Sequence, residues 1–371
     1  MAYTQAQLAW LRLASVRGMG TQRFNALLER FGSPTAVWET PPEETAFLGR
    51  ALNANLQAAR ADEYMEALLR SMEKCGAVAI TREDREYPAL LREIPDAPPV
   101  LYVRGCAMLD DARLIGVVGA RNCSAYGSRM ARRLGRELAE MGVTVVSGFA
   151  RGIDSFAHRG AIDVRGRTVA VFGSGVDVVY PPENLTLAGE LLETGGSIIS
   201  ANPPGTSPRA SVFPARNRII SGMSEGTVVV EASQHSGSLL TADFALAQGR
   251  TLFAVPGQAD SALSAGTNKL IRAGARLTTS ARDVAADLGW HRPEIAIPAA
   301  QGAAKILPMT IDEQRLYNLL EAGPMDTDGL VEASGMPVDR VNSLLTMLEI
   351  QGIIKQTPGR MFERADEIEL S

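Results

Sequence analysis

Cysteine is scarce in this chain of 371 residues: Cys75, Cys106 and Cys123 are scattered and show no CxxC spacing. That excludes a disulfide-built scaffold and leads us to expect a reduced, cytoplasmic protein. Histidine is equally sparse. His158, His235 and His291 have no second histidine three or four residues on, which argues against a catalytic zinc site. No run approaches the ~18 consecutive apolar residues of a membrane span, so membrane insertion is not expected. The opening MAYTQAQLAW lacks the basic-then-apolar pattern of a secretory leader. Nothing announces a cofactor. There is no GxxxxGK[ST] loop, and Gly173-Ser174-Gly175 begins a dinucleotide fingerprint that fails at Val178. A GxSxG elbow is absent too, so acyl-transfer chemistry finds little support.

What is present is 46 % hydrophobic residues, ample for a core, in a length that suggests two or three domains of ~100–200 residues. The net charge of −5 argues at first against nucleic acid, but it is unevenly spread. Residues 308–371 hold 12 acids and 5 bases, a balance of −7, which leaves the rest at +2. Arginine outnumbers lysine by 33 to 4. Genomic codon bias is one cause; arginine is also the better partner for planar phosphate recognition and for stacking on bases.

Residues 1–75 read as helical, with Arg17-Gly18-Met19-Gly20 as a tight turn and Thr21 as a candidate N-cap. Such a helix-hairpin-helix can offer backbone N–H groups to a phosphate, but 8 bases against 8 acids give no electrostatic reason to sit on DNA and favour a plain bundle turn. Across 76–290, short β-branched runs alternate with helical patterns: VLYV (100–103), LIGVV (114–118), VTVVS (143–147), TVAVF (168–172), SIIS (197–200), TVVVE (227–231) and TLFAV (251–255). This is the pattern of an α/β, doubly wound, mostly parallel sheet covered on both faces. Residues 291–307, rich in Pro and Ala, read as a linker. Residues 308–371 suggest three helices and a hairpin tipped by Pro358-Gly359, hence a winged helix.

Five strands run directly into Gly or Ser: VVGAR (117–121), VVSGFARGID (145–154), VFGSGVD (171–177), VVVEASQHSGS (228–238) and FAVPG (253–257). In a doubly wound sheet, ligands bind beyond those ends, beside helix N-termini that favour anions. From Arg113 to Arg136 there are six arginines and no acid. Helical spacing puts Arg129, Arg132, Arg133 and Arg136 on one broad face, either solvated or functional. Arg121, at a strand end, and Arg216 and Arg218, in the acid-free run 202–224, are the better phosphate candidates. Asp154 and His158, at i and i+4, can pair to stiffen a loop or form a dyad. Glu231, ending an apolar strand, can accept from a base or sugar, or from loop amides.

The strings VVGARNCSAYG (117–127), SGFARGIDSFAH (147–158), VFGSGVDVVYPPEN (171–184), FPARNRIISGMS (213–224) and VVVEASQHSGSLLTADFALAQGR (228–250), with FAVPG…TNKLIRAGA (253–275), together resemble the bacterial DNA-processing family DprA/Smf. The resemblance covers most of residues 80–280. It implies an extended Rossmann-like domain that binds and protects single-stranded DNA and loads the RecA recombinase during natural transformation, without turnover. It also implies a helix-hairpin-helix or SAM-like N-terminus, a winged-helix C-terminus and a homodimer. Matched motif by motif, the implied DNA-binding residues are Arg121; Gly148, Gly152 and Asp154 of the SGxAxGID loop; Tyr180 and Asn184 of the YPxxN turn; Arg216, Asn217 and Arg218; and Ser236, Gly237 and Ser238. Many members carry a Lys inside the YPxxN turn, where this chain has Pro182 and Glu183; Arg151 or an arginine of the 129–136 helix is expected to replace it. Residues 262–277 carry Leu270, Ile271 and Leu277, a candidate dimer stripe or a face packed on the sheet. The alternative function is a Rossmann-like nucleotide or nucleoside hydrolase using Glu231 or Asp154.

Overall fold

The computed structural model describes residues 3–107, 109, 113–209, 212–290, 310–350, 353–357 and 361–364. The linker 291–307 and the wing tip Pro358-Gly359 lie outside these residues. The chain divides into two compact units, Met1–Trp290 and His291–Ser371.

In the first unit the seven β-branched runs all form strands. They are β2 (Val100–Gly105), β3 (Leu114–Val118), β4 (Thr144–Ser147), β5 (Thr168–Phe172), β6 (Ser197–Ser200), β7 (Gly226–Val229) and β8 (Thr251–Ala254). Two more flank them: β1 (Ala77–Thr81) and β9 (Arg276–Leu277). The order is β1-β2-β6-β5-β4-β3-β7-β8-β9. Neighbours from β6 through β9 run parallel, and only β2 runs against the rest.

Every residue of β3 to β7 is buried, because side chains alternate between two covered faces. On β2 the alternation is plain. Val100 and Tyr102 join one core with Trp10, Leu13, Phe24 and Leu27 of the N-terminal helices, while Leu101 and Val103 join another with Leu91, Ile219 and Ile220. The helical segment of residues 5–75 therefore shares its core with the sheet. Its side of the sheet edge is also covered, since the Ala79 amide of β1 donates to the Tyr3 hydroxyl at 2.8 Å. The turn before helix Thr21–Phe31 differs in one detail from expectation. Gly20 occupies the N-cap position, and the Thr21 hydroxyl instead accepts from Arg218 at 3.3 Å.

The second unit has helices Ile311–Leu319, Thr327–Ser334 and Val338–Ile350, and a sheet in the order β10 (Met325–Asp326), β12 (Met361–Arg364), β11 (Ile354–Thr357). Leu316, Leu330, Leu344, Leu348 and Phe362 form its core. This is the winged-helix arrangement. Among the described residues no helix is long and apolar enough to cross a membrane.

Candidate nucleic-acid interface

After β3 the chain builds β4, β5 and β6 to one side, then returns to place β7 on the other. At such a switch point the loops leaving adjacent strands diverge and open a crevice at their carboxyl ends. Here it is a cleft of about 840 Å³, lined by Arg121 and Asn122 after β3, Asp154, Tyr180, Arg209, Phe213 and Asn217, and Ser236, Gly237 and Ser238 after β7. A hollow of about 40 Å³ adjoins it, lined by Gly148, Arg151 and Pro181, and shares Arg121, Ala150, Tyr180, Phe213 and Arg216 with the cleft.

Two glycines set the loop after β4. Gly152 has φ +73°, and a Cβ there would lie 2.3 Å from the Ala120 carbonyl oxygen, so this loop rests directly on the one carrying Arg121. A Cβ on Gly148 would lie 1.9 Å from Nη1 of Arg216 and 2.7 Å from Oδ2 of Asp154. The space beside Gly148 is thus filled by a guanidinium and a carboxylate.

Arg216 is buried, and its Nη1 donates to the Val171 carbonyl at 2.7 Å. Burial lowers its pKa to about 10, against the opposing pull of Asp154. Burial likewise raises the pKa of Asp154, which Arg216 and the Ala150 amide (3.2 Å to Oδ2) partly counter. Asp154 and His158 do not pair. The Thr168 hydroxyl donates to the Val145 carbonyl, so it accepts from Nδ1–H of His158 at 2.7 Å. Burial first, then nearby Arg216, lowers the pKa of His158 to about 3, and the ring is a neutral part of the core.

Above this base lies an aromatic cluster whose two rings, Tyr180 and Phe213, are tilted by 37° to one another. The Arg121 guanidinium lies 5.5 Å from the Phe213 ring centroid, and the Tyr180 ring lies 5.6 Å from Phe213 on an exposed rim. Arg121 and Arg209 are exposed, line the cleft and form no ion pair among the described residues. Oγ of Ser236 and Ser238 lie 2.8 Å apart at the start of helix Ser238–Ala247. The site therefore offers unpaired cations, an aromatic face and short polar groups. These suit a chain of phosphates carrying unstacked bases.

Several expected residues lie elsewhere. Arg218 turns away from the cleft: its Nε lies 3.2 Å from Asp96, and it reaches Thr21 in the N-terminal helices. Two residues along a helix amount to ~200° of rotation, so Arg216 and Arg218 cannot share a face. Asn184 is buried and holds the loop after β4, donating to the Phe149 carbonyl at 3.0 Å and to the Ser155 hydroxyl at 2.9 Å. Glu231 accepts from the Ser124 amide and hydroxyl, both at 2.7 Å, which resolves its role in favour of the loop. All but one of the expected stand-ins for the missing lysine are occupied; the exception, Arg129, is exposed, has no ion pair among the described residues and lines neither the cleft nor the hollow. Arg151 pairs with Glu183, Arg132 and Arg136 pair with Asp163 at 2.6 and 3.5 Å, and Arg133 pairs with Glu137 at 2.6 Å. Sequence reasoning missed Phe213 and Asn122; an aromatic three residues before an arginine in FPARNR was the available signal for the first. The stripe of residues 262–277 divides: Leu270 packs on the sheet core, while Leu277 is 53 % exposed on the edge strand β9. Among the described residues, no group of three His, Cys, Asp or Glu can hold a metal ion.

This architecture has relatives. A family model described as DNA recombination-mediator protein A matches residues 78–289, and one described as the DprA winged helix domain matches residues 298–360. The chain is 35 % identical to Protein Smf of Escherichia coli over 357 residues, 94 % of each. The structure of DNA processing protein A from Streptococcus pneumoniae aligns with a TM-score of 0.66 at 33 % identity, covering 77 % of this chain and 99 % of that one. DNA processing protein A from Helicobacter pylori, solved to define its single-stranded DNA binding mode, aligns with a TM-score of 0.52 at 27 % identity over 58 % of this chain and 96 % of that one. With a matching core, a matching winged helix and a relative aligned over nearly its whole length, the chain belongs to the DNA recombination-mediator protein A family, the DprA/Smf proteins.

Proposed function

We propose that the chain binds single-stranded DNA in the cleft at the carboxyl edge of the sheet and delivers it to the RecA recombinase. The observation that carries the binding step is the Arg121–Phe213–Tyr180 cluster, with Arg121 and Arg209 free of ion pairs among the described residues. The phosphate contacts hold the strand without regard to sequence, and an aromatic face is useful only to bases that are not already stacked in a duplex. Arg216 and Asp154 serve as the buried base of the site, and Ser236, Gly237, Ser238 and Asn217 as its far wall. Binding without turnover is favoured because both carboxylates a hydrolase would use are spent on loops: Glu231 on Ser124, and Asp154 on Ala150 beside Arg216. The test is competition on the full chain between labelled oligo(dT) and unlabelled strands. Single strands should displace the label at far lower concentration than a duplex of equal length; equal displacement refutes the reading.

Two partners complete the proposal. RecA delivery rests on family membership, and it predicts that the chain speeds RecA assembly on single strands; an unchanged assembly rate refutes it. A homodimer would place two clefts on one particle and raise apparent affinity through effective concentration. The open edge of β9, with Arg276 and Leu277 exposed, is the candidate contact. Light scattering that shows monomer alone, with tight DNA binding intact, would remove the need for it.

A further inference from the structure

The rim of the hollow beside the cleft carries an ion pair that works against the site's own charge. Arg151 follows β4 and Glu183 lies in the short 3-10 turn Pro182–Asn184; Nε of one meets Oε1 of the other across the gap. Their side chains are 60 % and 49 % exposed, so neither charge is needed by a core. The two segments are held in place independently of this pair, because Asn184 bonds to the Phe149 carbonyl and Ser155 beneath them. The pair is therefore not what joins the loops. Arg151 lines the same hollow as Arg121, Tyr180 and Phe213, at the edge a phosphate chain would cross.

A carboxylate on an arginine at such a rim does what a phosphate would do there. A planar carboxylate and a tetrahedral phosphate are both oxyanions that accept from the guanidinium's N–H donors, and one must leave before the other can bind. We propose that Glu183 is a built-in competitor for nucleic-acid phosphate at Arg151, so that the pair limits how tightly the cleft grips a single strand. The proposal rests on the cleft being the DNA site argued above. A cation that its own carboxylate competes for holds a strand less tightly, which suits a protein that must let its strand go.

The test is a double-mutant cycle on the full chain, with labelled oligo(dT) as the probe and anisotropy as the readout. Glu183→Gln should tighten binding by about two- to fivefold, the span of an exposed ion pair, and steepen the salt dependence by about 0.7 in log–log slope. In an Arg151→Gln background, the same Glu183→Gln change should give no gain. A gain that persists without Arg151 would reveal mere removal of a negative charge and overturn the proposal, as would no gain with Arg151 present. Arg121→Gln separates this from the reading beneath it. Weakened binding by Arg121→Gln with an additive cycle sinks the competitor and keeps the cleft. An unaffected Arg121→Gln with a coupled cycle keeps the competitor and displaces the anchor. No binding by any variant overturns both.

Discussion

Replacing Phe213 with alanine separates stacking from charge within the cleft. The ring lies 5.5 Å from the Arg121 guanidinium and 5.6 Å from the Tyr180 ring and is itself half-buried, so it is the member of the platform that both others contact. Base–aromatic stacking is worth ~1–3 kcal/mol per base by alanine substitution. Affinity for oligo(dT) should therefore fall by about 5- to 160-fold. Loss of the contact with Arg121, ~0.5–1 kcal/mol at an exposed site, is the smaller effect and acts in the same direction. No charge is removed, so the dependence of affinity on salt should keep its slope. Arg121→Gln should do the reverse in kind, lowering the single-strand slope by about 0.7 for one lost phosphate contact. The assay is fluorescence anisotropy from about 50 to 200 mM salt, with matched thermal melts to show that each variant is folded. Binding by Phe213→Ala within about twofold of the parent would refute the platform, since one lost stack costs more than ~0.4 kcal/mol.

Three other outcomes follow from the same geometry. Arg218→Ala should lower unfolding free energy by ~1–3 kcal/mol through its lost Asp96 and Thr21 contacts while leaving oligo(dT) affinity unchanged; a loss of affinity without destabilisation would return Arg218 to the cleft. His158, whose folded pKa near 3 lies below its ordinary value, contributes stability that is present above about pH 6.5 and is lost as pH falls toward 3, by up to ~1.4 kcal/mol per unit. Asp154, with a raised pKa, contributes with the opposite sign, so the check is the difference between parent and His158→Gln denaturation across that window; identical pH profiles would contradict a buried neutral imidazole. Deleting residues 308–371 should leave single-strand affinity within about threefold, under ~0.7 kcal/mol, and a tenfold loss in a folded variant would show that the winged helix engages DNA. Three of its five cations are already held: Arg340 by Asp312 at 2.9 Å, Lys355 by Glu363 at 3.1 Å and Arg364 by Glu321 at 3.1 Å.

The parallel sheet was legible because strands buried on both faces must be short and continuously apolar, and runs such as TVAVF satisfy that within five residues. The edges were harder. β9 is two residues long, and β1 follows a helix after a single left-handed glycine, Gly76, with no change in composition to mark it. At the site, strand-end glycines and FPARNR indicated where an anion would sit, but not which cations would be available to it. Pairing is decided by partners distant in sequence: Asp163 lies 31 residues from Arg132, and Glu183 lies 32 from Arg151. Local spacing likewise made Asp154 and His158 look like a pair, although Thr168, brought in by the neighbouring strand, takes the imidazole. Spacing did contain one answer that was not used, since Arg216 and Arg218 are too close along one helix to serve one face.

The central claim is that a single strand lies against Arg121 at the switch point of the sheet. It is tested most directly by the salt dependence of oligo(dT) affinity for the parent and for Arg121→Glu. The parent should give a straight line in log affinity against log salt. The variant should bind more weakly whatever the base composition, with a slope shallower by about 0.7. A folded Arg121→Glu protein with the parent's affinity and slope would contradict the claim.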